Sequence, residues 1–122
     1  MKAIRSRYNG RTRNPWNEYE CGNWYARAMP SFALVGALSG FRYSAVDRIL
    51  CFGPRLKERP FTSFFSTASG YGTITLSGQD ITLRMIEGQL AIEKLQFTNS
   101  DGTCSLDWET VAHENAPVTK AL

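Results

Sequence analysis

Histidine is almost missing from this chain. His113 is the only one among 122 residues, and it stands in a polar tail with no acid or nucleophile arranged around it. That excludes a histidine-based acid–base centre and leaves a surface role. The three cysteines, Cys21, Cys51 and Cys104, are an odd, scattered set without a CxxC pair or a histidine cluster. Neither a disulfide framework nor a zinc site follows from them, so reduced structural thiols are expected. No apolar run approaches the roughly 18 to 20 residues that cross a bilayer. Met1-Lys2-Ala3-Ile4-Arg5 also lacks the apolar stretch that follows the charges of a signal peptide. A soluble, cytoplasmic protein without a membrane span is therefore expected. Internal repeats and low-complexity segments are lacking too. Gly70-Tyr71-Gly72 precedes no helix start, which makes it a tight strand entry rather than a phosphate loop. No cofactor and no metal are expected.

What is present is ample for one packed domain: 43% of residues are hydrophobic and 12% aromatic. The net charge of +3 hides an asymmetry. Residues 1–60 carry eleven Lys and Arg against four Asp and Glu, and residues 61–122 carry three against seven. The first half is Arg-rich and ends in the loop Gly53-Pro54-Arg55-Leu56-Lys57-Glu58-Arg59-Pro60; the second is rich in Thr, Ile and Leu. Arg5, Arg7, Arg11 and Arg13, interleaved with Tyr8 and Trp16, have the composition of a nucleic-acid-binding arm. They run into a glutamate-rich segment that repels phosphate, so a solvated arm is preferred and no nucleic acid is expected.

Periodicity divides the chain into a basic arm (1–15), a polar motif and apolar helix (16–40), a loop-rich linker (41–69), antiparallel strands (70–112) and a tail (113–122). Asn17 with Glu20 three residues on resembles a capping box. The helix so begun should stop at Ser39-Gly40, with a kink or a break at Pro30. Residues 28–38 have no charge and are apolar nearly all round, the mark of a helix buried on several sides. Ile74 and Leu76, then Ile81, Leu83 and Met85, then Leu90 and Ile92 alternate as strands. Turns are expected at Ser77-Gly78-Gln79-Asp80, Glu87-Gly88 and Asn99-Ser100-Asp101-Gly102. The inward phase slips between Ile92 and Leu95, which predicts a bulge around Glu93-Lys94. The expected fold class is α+β, one or two N-terminal helices packed on an antiparallel β-meander.

The segment 13–27, RNPWNEYECGNWYAR, concentrates arginines, glutamates and large aromatics, the residue types that hold a hydroxyl-rich ligand. Arg13-Asn14-Pro15-Trp16-Asn17-Glu18-Tyr19-Glu20-Cys21-Gly22, followed by Tyr25-Ala26-Arg27-Ala28-Met29 and Ala37-Leu38-Ser39-Gly40-Phe41, resembles the late catalytic-domain signature of glycoside hydrolase family 116. That family comprises β-glucosidases and non-lysosomal glucosylceramidases. Arg5 to Arg11, Gly70-Tyr71-Gly72-Thr73 and Gly88-Gln89-Leu90 extend the likeness over most of the chain. The resemblance implies the C-terminal end of an (α/α)₆-barrel glycosidase, with Glu18 and Arg27 contacting sugar hydroxyls and a glucoside-type carbohydrate as ligand.

Helical geometry constrains this assignment. Glu18 and Arg27 are nine residues apart, and at about 100° per residue they fall on opposite sides of an ideal helix. They converge on one sugar only if Glu18 precedes the regular helix. Glu20 and Arg27 share a face roughly 10 Å apart along the axis, so Glu20 either caps the helix or faces the ligand. Trp24 and Tyr25 both offer a stacking face, and one of them must pack against the helix. Glu18 and Glu20 are not the catalytic pair, because residues two apart do not face each other on a helix, and the family's catalytic carboxylates lie upstream of this motif. The chain should bind sugar without catalytic residues. It would then need either the remainder of a barrel enzyme or a second copy, or else be a carbohydrate- or protein-binding module from a truncated or split gene.

Overall fold

The computed structural model describes the backbone of residues 25–122 and the side chains of residues 32–122. It corrects the expected fold class. Among the described residues the chain is mostly β, with one helix, α1 (Tyr25–Ser39), followed by seven strands: β1 (Arg42–Ser44), β2 (Ile49–Phe52), β3 (Phe61–Thr67), β4 (Gly70–Ser77), β5 (Asp80–Asn99), β6 (Gly102–His113) and β7 (Val118–Ala121). Residues 35–122 form one compact unit. Within it the strands make a single curled sheet, a half-barrel in place of a helix lying on a meander.

Helix α1 runs through Pro30 as one element and ends where the glycine signal placed its end. Gly40 takes a φ of 63° and donates its N–H to the carbonyl of Gly36 at 2.8 Å. A side chain here would stand 2.7 Å from the Gly53 carbonyl oxygen, so glycine is required on two counts. The carbonyls left over at the helix end accept from the loop after β2: Gly53 N–H to Ser39 at 3.0 Å and Arg55 N–H to Leu38 at 2.8 Å. Ser39 is fully buried in that junction, while Val35 and Leu38 remain 37% and 41% exposed. The end of the helix is therefore anchored through its backbone, and its apolar side chains are not the sheet's covering layer.

Residues 41–69, expected as a linker, contain β1, β2 and β3. The reason lies in a pairing between distant segments. β2 joins β5 in parallel, with Ile49 opposite Lys94 and Phe52 opposite Phe97. Four residues reading Ile-Leu-Cys-Phe carry too short a pattern to be assigned before their partner is known. The sheet is consequently mixed. Its path is β1-β2-β5-β4-β3, with β6 and β7 also on β5. The segment 113–122, set apart as a polar tail, supplies β7, which pairs Ala121 to Val118 with Asp80 to Leu83.

β5 organises the unit. It is 20 residues long; its first half lies against β4 and β7 and its second half against β2 and β6. Glu87-Gly88, expected as a turn, is instead a bend within this one strand. Its inward residues change phase twice, from Ile81, Leu83 and Met85 to Leu90 and Ile92, and then to Leu95 and Phe97. The first change falls where the register with β4 shifts, Tyr71 pairing Glu87 but Gly72 pairing Met85, so that Ile86 bulges outward, 53% exposed. The second falls at Glu93, where the register with β6 shifts as the phase slip predicted. The turns at Ser77–Asp80 and Asn99–Gly102 are present as expected. Asn99 closes the second by accepting the N–H groups of Asp101 and Gly102 at 2.9 and 3.1 Å.

Both halves of β5 contribute to one core, in which Leu50, Ile74, Ile81, Leu83, Leu90 and Leu95 are fully buried. Threonine pairs lie on the solvent side of the sheet, Thr62 with Thr75 at 2.9 Å and Thr82 with Thr119 at 3.0 Å.

The bend requires glycine for close approach. Gly88 has a φ of 79°, and a methyl group there would lie 2.2 Å from the Ser69 carbonyl oxygen and 2.8 Å from the Gly70 Cα. Gly78 sits at a φ of 61° with open space around it. Gly78→Ala should therefore cost only the left-handed conformation, about 1 to 2 kcal/mol. Gly88→Ala adds a backbone clash and should exceed about 3 kcal/mol, at the top of what strained sites tolerate. Urea denaturation of the two variants checks this; equal losses would contradict the packing described.

Candidate functional site

The curl of the sheet brings its two end strands, β1 and β3, towards each other without pairing them. Phe41, just ahead of β1, stacks on Phe65 of β3 with ring centroids 4.8 Å apart and planes 17° from parallel. Such offset stacking adds about 0.5 to 1.5 kcal/mol beyond the buried area. Above this aromatic joint opens a cleft of about 630 Å³, within the range of small-ligand sites. Phe41, Arg42, Tyr43, Ala45 and Arg48 line one side of it, Ser66, Thr67, Ala68 and Ser69 the other, and Gln89 and Ala91 of β5 the remainder.

Each polar group in the cleft has a definite state. Tyr43 donates its hydroxyl to the carbonyl of Ala91 across 48 residues of sequence, which joins β1 to the bent region of β5. Burial raises its pKa above the ordinary phenol value, and the nearby Arg48 charge works in the opposite direction. Thr67 donates to the carbonyl of Gly70 at 2.9 Å and lies 3.3 Å from the Ser69 hydroxyl. Arg42, Ser66 and Gln89 also line the cleft, and their side chains make no hydrogen bond among the described residues.

Arg48 is held from both ends. It adopts a φ of 53°, uncommon for a residue with a side chain. Its carbonyl accepts two successive N–H groups, Glu93 at 2.9 Å and Lys94 at 3.4 Å, at the point where the register between β5 and β6 shifts. Its guanidinium then pairs with the Glu93 carboxylate at 3.1 Å. Both side chains are about half exposed, so the pair contributes roughly 0.2 to 1 kcal/mol and chiefly positions Arg48. A second hollow of about 450 Å³ lies beyond it, lined by Arg48, Ala91, Ile92, Glu93, Glu109, Thr110 and Val111. Arg48 and Ala91 border both hollows.

Glu18, Glu20 and Trp24 lie outside the described residues, as does the capping box at Asn17. Tyr25 and Arg27 fall in the first turn of α1, with their side chains outside the described set. The described lining of the cleft includes Arg42, Tyr43 and Arg48, which carried no sequence motif, and Gln89, which the family likeness touched without giving it a role. The signal that existed was Phe41-Arg42-Tyr43 directly after the helix-ending glycine, an aromatic and basic cluster at a chain reversal. Among the described residues no group of three or more His, Cys, Asp and Glu is placed to hold a metal. None of the described helices is long and apolar enough to cross a membrane.

With this geometry in hand, comparison with known proteins returns no match to any family model and none to any curated protein. What the cleft can do is therefore argued from its own chemistry. Among the described residues it presents guanidinium, amide and hydroxyl groups above an aromatic joint, and no carboxylate.

Tyr43 offers a direct check on the joint. Tyr43→Phe should lower stability by about 0.5 to 1.5 kcal/mol through the lost hydrogen bond. It should also remove from the ultraviolet tyrosinate titration a component ionising above pH 10.0. Because the folded-state pKa is raised, the folded protein keeps this proton longer than the unfolded chain does. The associated stability is complete below the unfolded value and is lost as pH rises through the folded one. An unchanged titration would place Tyr43 in solvent.

Proposed function

We propose that this chain is the glycan-holding, non-hydrolytic C-terminal part of a glycosidase of the β-glucosidase and glucosylceramidase type. In this reading Glu18 and Arg27 hold the glycone, with Glu20, Trp24 and Tyr25 around it. The unit of residues 35–122 binds a hydroxyl-rich ligand in its cleft. The observation that carries the proposal is the lining of that cleft. Hydroxyl-rich ligands are held by planar donors, amides and hydroxyls beside an aromatic face, and Arg42, Gln89, Ser66 and Phe41 supply that set. Hydrolysis needs two carboxylates roughly 5 to 9.5 Å apart across the scissile bond, and among the described residues none lines the cleft. Catalysis then belongs to a partner, the remainder of the enzyme or a second copy. A cytoplasmic location is part of the same reading, supported by the free thiols of Cys51 and Cys104.

A second reading has support from the same lining: a carbohydrate- or protein-binding module, from a truncated or split gene, that never serves an enzyme. The motif at 13–27 favours the glycosidase reading over it.

The purified chain should hydrolyse no aryl β-glucoside, yet bind methyl β-glucoside with a dissociation constant on the order of 1 mM, about −4 kcal/mol. Loss of binding in Arg27→Ala assigns the sugar to the motif, and loss in Arg42→Ala assigns it to the cleft. A folded chain that binds no glucoside, or one that turns it over, would overturn the proposal.

A further inference from the structure

We infer that the cleft between β1 and β3 selects a carboxylated saccharide, of the uronic acid type, over a neutral one. The inference rests on the cleft being a glycan site, as proposed above, and adds the charge of the ligand. Among the described residues two guanidiniums, Arg42 and Arg48, line the cleft and no acidic side chain does. They are not equivalent. Arg48 is shared with Glu93 at 3.1 Å, so its charge is largely met from the neighbouring hollow. Arg42 pairs with no carboxylate among the described residues. The nearest acid in sequence, Asp47, accepts from the Ser44 hydroxyl at 2.6 Å and from no arginine. Among the described residues, one positive charge is therefore unmet, and it faces a space that also offers the Gln89 amide and the Ser66 hydroxyl.

A neutral sugar would use Arg42 as an ordinary donor. A carboxylate attached to the sugar would receive the bidentate, charge-assisted pair that guanidinium geometry favours. Its hydroxyls would be left to Gln89 and Ser66. A bare anion would satisfy Arg42 equally and leave the amide, the hydroxyl and the aromatic joint unused, which is why a carboxylate carried on a sugar fits better.

The test is a set of titrations at low ionic strength with methyl β-glucuronoside, methyl β-glucoside and acetate, each variant being checked for fold by circular dichroism. The glucuronoside should bind about tenfold or more tightly than the glucoside, the gain from replacing a neutral hydrogen bond with a charge-assisted one. Arg42→Gln should erase that preference while the glucoside still binds. Glu93→Gln should strengthen it by releasing Arg48, a change of opposite sign that a merely destabilised protein would not produce. Equal affinity for the two glycosides would overturn the acid selectivity and leave the glycan site standing. Acetate binding as tightly as the glucuronoside would overturn it in favour of a simple anion site. If neither glycoside binds the folded chain, the glycan reading fails and this inference with it.

Discussion

The close approach of β4 to β5 at Gly70 and Gly88 is the constraint on which the rest of the fold depends. At Gly70 a side chain would stand 2.3 Å from the Glu87 carbonyl oxygen, and at Gly88 one would stand 2.2 Å from that of Ser69. Only backbone fits there. Because it fits, a strand of 20 residues turns without ending, and its two halves serve different neighbours. Were Glu87-Gly88 a true reversal, the chain would form an ordinary meander, and Leu90 and Ile92 would have no reason to share a core with Ile81 and Leu83. The bend also orients the end strands, since the β3–β4 turn approaches β5 at that point through Gln89 N–H to Ser69 at 3.1 Å.

From this follow the joint and the cleft. A sheet curled short of closure leaves its end strands β1 and β3 unpaired on one side, edges that sheet proteins ordinarily protect. Here they meet through the Phe41–Phe65 stack, while the Tyr43 hydroxyl on Ala91 ties β1 to the bent strand β5. The space above that joint is bordered by short polar side chains from the β3–β4 turn and by long basic ones from the β1–β2 hairpin. Its chemistry is a product of which loops border the seam, as in the mouths of closed barrels where ligands commonly sit.

Much of the β unit was legible in the sequence, and the parts that were not share a cause. Local signals held. Gly40 ended the helix, Asn99 to Gly102 closed a hairpin, and the phase slip at Glu93 marked a real bulge. Pairings between distant segments did not announce themselves. β2 finds its partner more than 40 residues away and in parallel, so residues 41–69 read as loop. The helix read as buried because residues 28–38 are apolar, yet Val35 and Leu38 are substantially exposed. Periodicity reports what a segment would prefer to bury, not whether anything covers it. Arg48 was silent for a third reason: its role comes from a left-handed backbone and from Glu93, 45 residues away, neither of which leaves a mark in the composition of its own segment.

The central claim, that the seam of the half-barrel is a glycan site, is tested most directly by mapping rather than by affinity. Backbone amide chemical shifts of the labelled chain should be followed during titration with a methyl β-glycoside. The account predicts perturbations concentrated at Phe41 to Ala45, Ser66 to Ser69, Gln89 and Ala91, with the Thr62, Thr75 and Thr82 row on the solvent side of the sheet unmoved. Saturable shifts confined to residues 13–27, with the cleft silent, would contradict it.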